Sequence, residues 1–254
     1  MIQALLVAGA TLFAAGEARA FLFSRTELQV NVNVTMTDAG RARPLPTKEK
    51  PEYYLPLLAG FLERGDIVAG ERPPPQKLVT DNLAKELAKQ HYFVMGGEHA
   101  PTLILVFHWG YLNPQIHETG DGRVVFENKR EALALVAGNT LDKINFGPEI
   151  DDVNRAALEN RYFMIVSAYD YAAAAQEKKK VLLWRARMSA PSDGIEMKDA
   201  VASLIKSGGP HFGRETEKPV WEDRKIVRDG KVEPGPLQVI ESDVKTPKRD
   251  EPKK

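Results

Sequence analysis

The sequence predicts an α+β fold, with a mixed, mostly antiparallel sheet of about five strands and helices packed on it. Three observations carry this expectation. Leu28 to Met36 alternates apolar and polar residues at a period of two. Gln76 to Gln90 gathers Leu78, Val79, Leu83, Leu87 and Ala88 on one face at helical spacing. Tyr162 to Tyr171 and Lys180 to Met188 then read as two long strands in succession.

Each element has its own signal. In the first strand, Leu28, Val30, Val32, Val34 and Met36 form an apolar face, and Gln29, Asn31, Asn33 and Thr35 form the wet one. Asp38-Ala39-Gly40 closes it, and Pro44 to Pro56 reads as loop. Tyr53 to Arg64 is expected to hold a short helix around Leu57, Leu58, Phe61 and Leu62. Pro73-Pro74-Pro75 leads into the helix at Gln76, since proline suits the first helical positions. A brief apolar segment, Tyr92 to Met95, and a Gly96-Gly97 turn precede a strand from Thr102 to Tyr111. Its run Leu103 to Phe107 is apolar on both faces, as expected of a central strand covered on each side.

Asp121-Gly122 predicts a two-residue hairpin turn before a strand from Arg123 to Phe126. Helices are expected over Glu131 to Ile144, interrupted at Gly138, and over Asp151 to Glu159, whose first aspartates offset the helix dipole. The connection from Ala172 to Lys179 lacks a two-residue turn signal. Ser192-Asp193-Gly194 marks a turn before a helix from Met197 to Ser207, stopped by Gly208-Gly209-Pro210. After Gly213 the pattern fades, except for a small hairpin expected at Asp229-Gly230 within Lys225 to Lys231. No internal repeat is present.

The organisation follows. Met1 to Ala20 reads as a cleaved signal peptide: an apolar run from Ile2 to Ala15, then the small-x-small ending Ala18-Arg19-Ala20. Residues 21–232 are expected to form a single α+β domain with an insertion around 113–160. Residues 233–254, rich in proline, lysine and acids, read as a flexible tail with too little apolar content to offset ordering entropy. This predicts an exported protein, periplasmic or extracellular, with no membrane span after cleavage. The chain has no cysteine, which excludes a disulfide framework, a thiol nucleophile and lipid attachment through cysteine. Lys plus Arg and Asp plus Glu balance at 35 each, which argues against a nucleic-acid binder.

The segment Leu78 to Trp109 carries a resemblance. A helix ends in Lys89-Gln90-His91-Tyr92-Phe93, and after a break comes Pro101-Thr102-Leu103-Ile104-Leu105-Val106; a later strand contains Leu183-Trp184-Arg185. From Thr26 to Ser207 the layout resembles bacterial envelope proteins of the curli-secretion and penicillin-binding-protein-activator lipoprotein type, without their lipobox cysteine. The resemblance implies an envelope role and brings no catalytic residues with it.

Chemical motifs are absent. The histidines His91, His99, His108, His117 and His211 show neither the i, i+4 pair nor the HExxH spacing of a zinc site. No Gly-x-Ser-x-Gly or Ser-x-x-Lys occurs. Gly208 to Gly213 follows a helix, where glycines end helices rather than cradle phosphates. No cofactor, metal or catalytic residue is therefore assigned. The surface or pocket candidates are His108 and Trp109 at the end of an apolar strand, and Arg185 and Arg187. The two arginines share one face of a strand and follow Lys178 to Lys180, which suggests a basic stripe. The expected function is a non-enzymatic module that binds a protein partner or assists assembly in the envelope. The alternatives are an exported hydrolase with a dispersed site and a glycan- or small-ligand-binding module. The hydrolase would gather His108, a carboxylate and a serine within hydrogen-bond reach.

Overall fold

The computed structural model describes residues 23–68, 72–143 and 147–229. The expected signal peptide, the tail and the turn at Gly230 lie outside them. By contacts the chain divides into a unit of residues 25–228 and a second unit of its two terminal stretches.

The α+β class holds, but the main sheet is a mixed one of seven strands, with parallel pairs, rather than a mostly antiparallel one of about five; its order is β3-β2-β4-β7-β8-β1-β9. They are β1 (Phe23–Met36), β2 (Glu52–Arg64), β3 (Tyr92–Val94), β4 (Leu103–Leu112), β7 (Arg161–Asp170), β8 (Leu182–Pro191) and β9 (Val220–Asp229). A separate hairpin pairs β5 (Ile116–Glu118) with β6 (Val124–Phe126). The pairs β4–β7, β7–β8 and β1–β8 are antiparallel, while β2 runs parallel to both β3 and β4. The helices are α1 (Asp38–Arg41), α2 (Gln76–Lys89), α3 (Lys129–Ala137), α4 (Pro148–Ala157), α5 (Tyr171–Gln176) and α6 (Met197–Gly208).

Four parts of the chain differ from the sequence pattern. The helix expected over Tyr53 to Arg64 is β2, a strand interrupted by an irregularity between Leu58 and Gly60. Tyr54 and Phe61 pack on the core side and Leu62 on the other, and the irregularity between them breaks the period of two, so the leucines fall at helical spacing. The fading order after Gly213 gives way to β9, whose apolar Ile226 is buried. The connection after β7 is α5, started by the Asp170 carboxylate, which accepts from the Ala173 N–H at 2.8 Å. The hairpin loop at Asp121-Gly122 is longer than two residues, since the Thr119 N–H donates to the Arg123 carbonyl and Gly122 has φ 82°.

The core lies on one face of the sheet. Val79, Leu83 and Leu87 of α2 and Val201, Leu204 and Ile205 of α6 pack against Val32, Leu105, Phe107, Val166 and Met188. The apolar face of β1 is buried there as its alternation demands. The opposite face is covered only in part. There α3 packs with Ala132, Leu133 and Leu135 on Leu62, Leu112, Phe163 and Ile165, and α4 backs α3. These helices come from the segment 113–160. The polar side of β1 is consequently not wet: Asn31 and Asn33 are fully buried and Thr35 nearly so.

Candidate functional site

Strand register decides which side chains share the second face. In the row Asn33–Arg187–Ile165–His108, each residue pairs with the next across β1, β8, β7 and β4. The neighbouring row reads Thr35–Arg185–Ser167–Val106–Leu57 and ends on β2. Side chains alternate along each strand, so both rows project to the same side. His108, Arg185 and Arg187 therefore meet on one face. Trp109, adjacent to His108, points the opposite way and is buried in the core at 4% exposure. The structure thus separates the fourth candidate from the other three.

Arg185 is held by neutral groups. Its Nε donates to Ser167 Oγ at 2.9 Å, and its Nη2 donates to the Tyr169 hydroxyl at 3.4 Å. Arg187 is held more loosely, with Nη1 donating to Asn33 Oδ1 at 3.4 Å and to Thr35 Oγ1 at 3.3 Å. Burial, and secondly the charge of Arg185, pushes the Arg187 guanidinium down to about 10. His108 is also lowered, by burial first and by Arg185 second. Its Nδ1 is buried without a hydrogen-bond partner.

The local structure supports this arrangement from behind. Asn33 Nδ2 donates to the carbonyls of Leu135 and Val136 at 2.8 and 2.9 Å, tying the C-terminus of α3 to the sheet. Gly138 ends α3 at φ 60° and ψ −130°, a conformation open to glycine. A Cβ there would stand 2.4 Å from Asn33 Oδ1 and 3.2 Å from Arg187 Nη1. In the sequence Gly138 stands out only as a helix interruption, Asn33 and Thr35 only as the polar side of the first strand, and Ser167 and Tyr169 only as residues of a strand. The alternation of β7 and β1 was legible, but the register that sets them beside Arg185 and Arg187 is a tertiary property.

On the five strands β2, β4, β7, β8 and β1 the paired positions of this face are one-sided in charge. The residues that β2, β4, β7, β8 and β1 present to it in the paired register include Arg64, Arg161, Arg185, Arg187 and His108, and no Asp or Glu. Two of the arginines find carboxylates from outside the sheet. Arg64 lies 3.5 Å from Glu131, and buried Arg161 lies 2.6 Å from Glu159. Among the described residues, neither Arg185 nor Arg187 has an ion-pair partner. No hydrogen bond or ion pair there joins His108 to a carboxylate or a serine. Among the described residues no group of three His, Asp or Glu is placed to hold a metal ion, and no helix is long and apolar enough to cross a membrane.

No protein-family profile and no curated protein matches the chain. Among solved structures it is similar to a PDZ domain protein from Parabacteroides distasonis, at 10% identity and a TM-score of 0.39. That match covers 78% of this chain and 39% of the other, so the chain spans about two fifths of that protein's length. It is also similar to the PelC dodecamer protein from Paraburkholderia phytofirmans, at 11% identity and a TM-score of 0.34, over 71% of this chain and 95% of that one. At these scores neither likeness bears on the fold or on the function.

Proposed function

We propose that this is an exported envelope protein that acts as a non-enzymatic binding module, docking a protein partner on the open part of its second sheet face. One observation carries the reading: Arg185 and Arg187 stand half-buried on that face, held by neutral side chains, with no carboxylate paired to either among the described residues. Taking a cation partly out of water costs free energy that a paired anion can offset. A face that leaves two unmatched is suited to receiving the matching charge from another molecule. The apolar run and small-x-small ending of Met1 to Ala20 support export to the periplasm or beyond.

The hydrolytic alternative draws less support. The serine beside Arg185 accepts a hydrogen bond from a cation, and burial first and the charge of Arg185 second disfavour the protonated form of His108. A general base is normally oriented by a carboxylate or carbonyl on its far nitrogen.

Capture from envelope extract tests the reading. Tagged mature protein should retain a reproducible partner that is lost when Arg185 and Arg187 are both replaced by Gln. The N-terminus of the exported protein should begin at or near Phe21. Capture of no partner, or a cytoplasmic protein with Met1 intact, would sink it.

A further inference from the structure

The second sheet face carries more chemical detail than a generic docking role requires. Beyond the part covered by α3, the arginine row continues into apolar residues. Val106 is half-buried, and Leu57 on β2 is 45% exposed. The next row pairs half-buried Tyr169 with half-buried Ile104, and Ile104 with Leu55. The surface is thus two-toned: guanidinium groups on β8 and aliphatic side chains on β4 and β2, three strands apart at most. Strands lie about 4.8 Å apart, so the tones are separated by roughly 10–14 Å.

The donors are arranged for an oxyanion. A guanidinium has five N–H groups in a fixed fork. Arg185 uses Nε and Nη2 internally and Arg187 uses only Nη1, which leaves donors on both side chains. Ser167 and Tyr169 fix the first arginine, and Asn33 and Thr35 steady the second, so part of the ordering entropy is met before any ligand arrives. The whole chain has a formal net charge of +0, so the cationic character of this face is local and not a by-product of composition.

Resting on the binding role proposed above, we infer that the partner presents an acidic, amphipathic peptide segment, whose carboxylates pair with Arg185 and Arg187 and whose apolar side chains lie on Leu57, Val106 and Ile104. Charge complementarity selects the acidic side chains, because guanidinium forks accept carboxylates in bidentate fashion. The adjoining aliphatic strip selects a peptide over inorganic phosphate or an anionic glycan, neither of which has an apolar side chain to place there.

The test uses the mature chain and defined probes. A fluorescent peptide alternating glutamate and leucine is titrated by anisotropy, beside a lysine–leucine peptide, inorganic phosphate and phosphatidylglycerol vesicles. The acidic peptide should bind saturably and weaken with salt, since the paired charges are only partly shielded from solvent. Replacing both arginines by Gln should weaken it by about tenfold or more. Arg187 is partly structural, so a second variant is read in parallel: Leu57→Glu changes an exposed residue, leaves both arginines in place and should weaken the acidic peptide comparably. Absence of saturable binding overturns the inference. So does equal binding by wild type and both variants, and so does binding of vesicles without the peptide, which would assign the face to a membrane surface.

The two proposals fail separately. If extract yields a partner whose capture ignores Arg185, the inference falls and the binding role stands. If the acidic peptide binds as described but extract yields no partner, the binding role falls and the chemistry of the face stands.

Discussion

Asn31 and Asn33 lie two residues apart on the same face of β1, both fully buried, with opposite energetic roles. Asn33 Nδ2 satisfies two carbonyls at the end of α3, where four carbonyls lack intrahelical partners. Neither polar atom of the Asn31 side chain has a partner. A buried polar group stabilises only when its bonds are made. Asn33→Ala should therefore destabilise the protein by roughly 1–3 kcal/mol, leaving carbonyls unmatched and loosening Arg187 as well. Asn31→Leu has no bond to lose and should leave stability unchanged or raised. Thermal unfolding of both variants checks the contrast, and an equal loss in the two would refute it.

At the scale of elements, β2 is the instructive strand. Its outer neighbour β3 pairs with Glu52 to Tyr54, and among the described residues no strand pairs with the rest of its outer edge. The Tyr53 carbonyl accepts from Thr102 on the β4 side, and the Tyr54 carbonyl accepts from Met95 on the β3 side. Continuing the alternation, Pro56 faces outward. Proline carries no N–H, and the irregularity between Leu58 and Gly60 interrupts the edge again. This edge is blunted against pairing with a second chain. Pro56→Val should restore a donor beside exposed Leu57 and Leu58 and promote self-association. Light scattering against concentration checks this, and a variant as monodisperse as wild type would refute it. The same features explain why β2 was illegible in sequence. Leu57, Leu58, Phe61 and Leu62 fit a helical period, and the irregularity breaks the strand period that would have competed with it. The strands β1, β7 and β8 and the helices α2 and α6 were legible because their periods run over most of their length, the register shift between Ala168 and Tyr169 falling near one end of the β7–β8 pair, and β4 was legible from its continuous apolar run. The three-residue β3 was too short to carry one.

At the scale of the whole molecule, His108 and Trp109 could have been assigned to opposite faces from strand alternation alone, and the shared face of Arg185 and Arg187 was read correctly. What sequence could not supply was the covering of β1 by α3 or the register that leaves those arginines unpaired, since both depend on residues more than a hundred positions apart. The resulting charge balance has a pH consequence. His108 is lowered by burial and by Arg185, and His211 by burial first, with Glu222 opposing and Arg214 reinforcing the shift. For both, the folded state takes up a proton less readily than the unfolded chain, whose histidines titrate near pH 6.5. Above that pH both states hold neutral imidazole and the difference vanishes. Below it the unfolded chain binds protons first, so folding stability falls as pH drops from about 7.5 towards 5.5. Most carboxylates stay ionised across that window, so they contribute little to the slope. Melting temperature measured across it should decline for wild type and decline less steeply for His108→Gln, which has no proton to gain at that position. A flat wild-type profile, or an identical slope in the variant, would show that His108 protonates freely in the folded protein. That result would contradict the picture of an imidazole held neutral beside an uncompensated arginine.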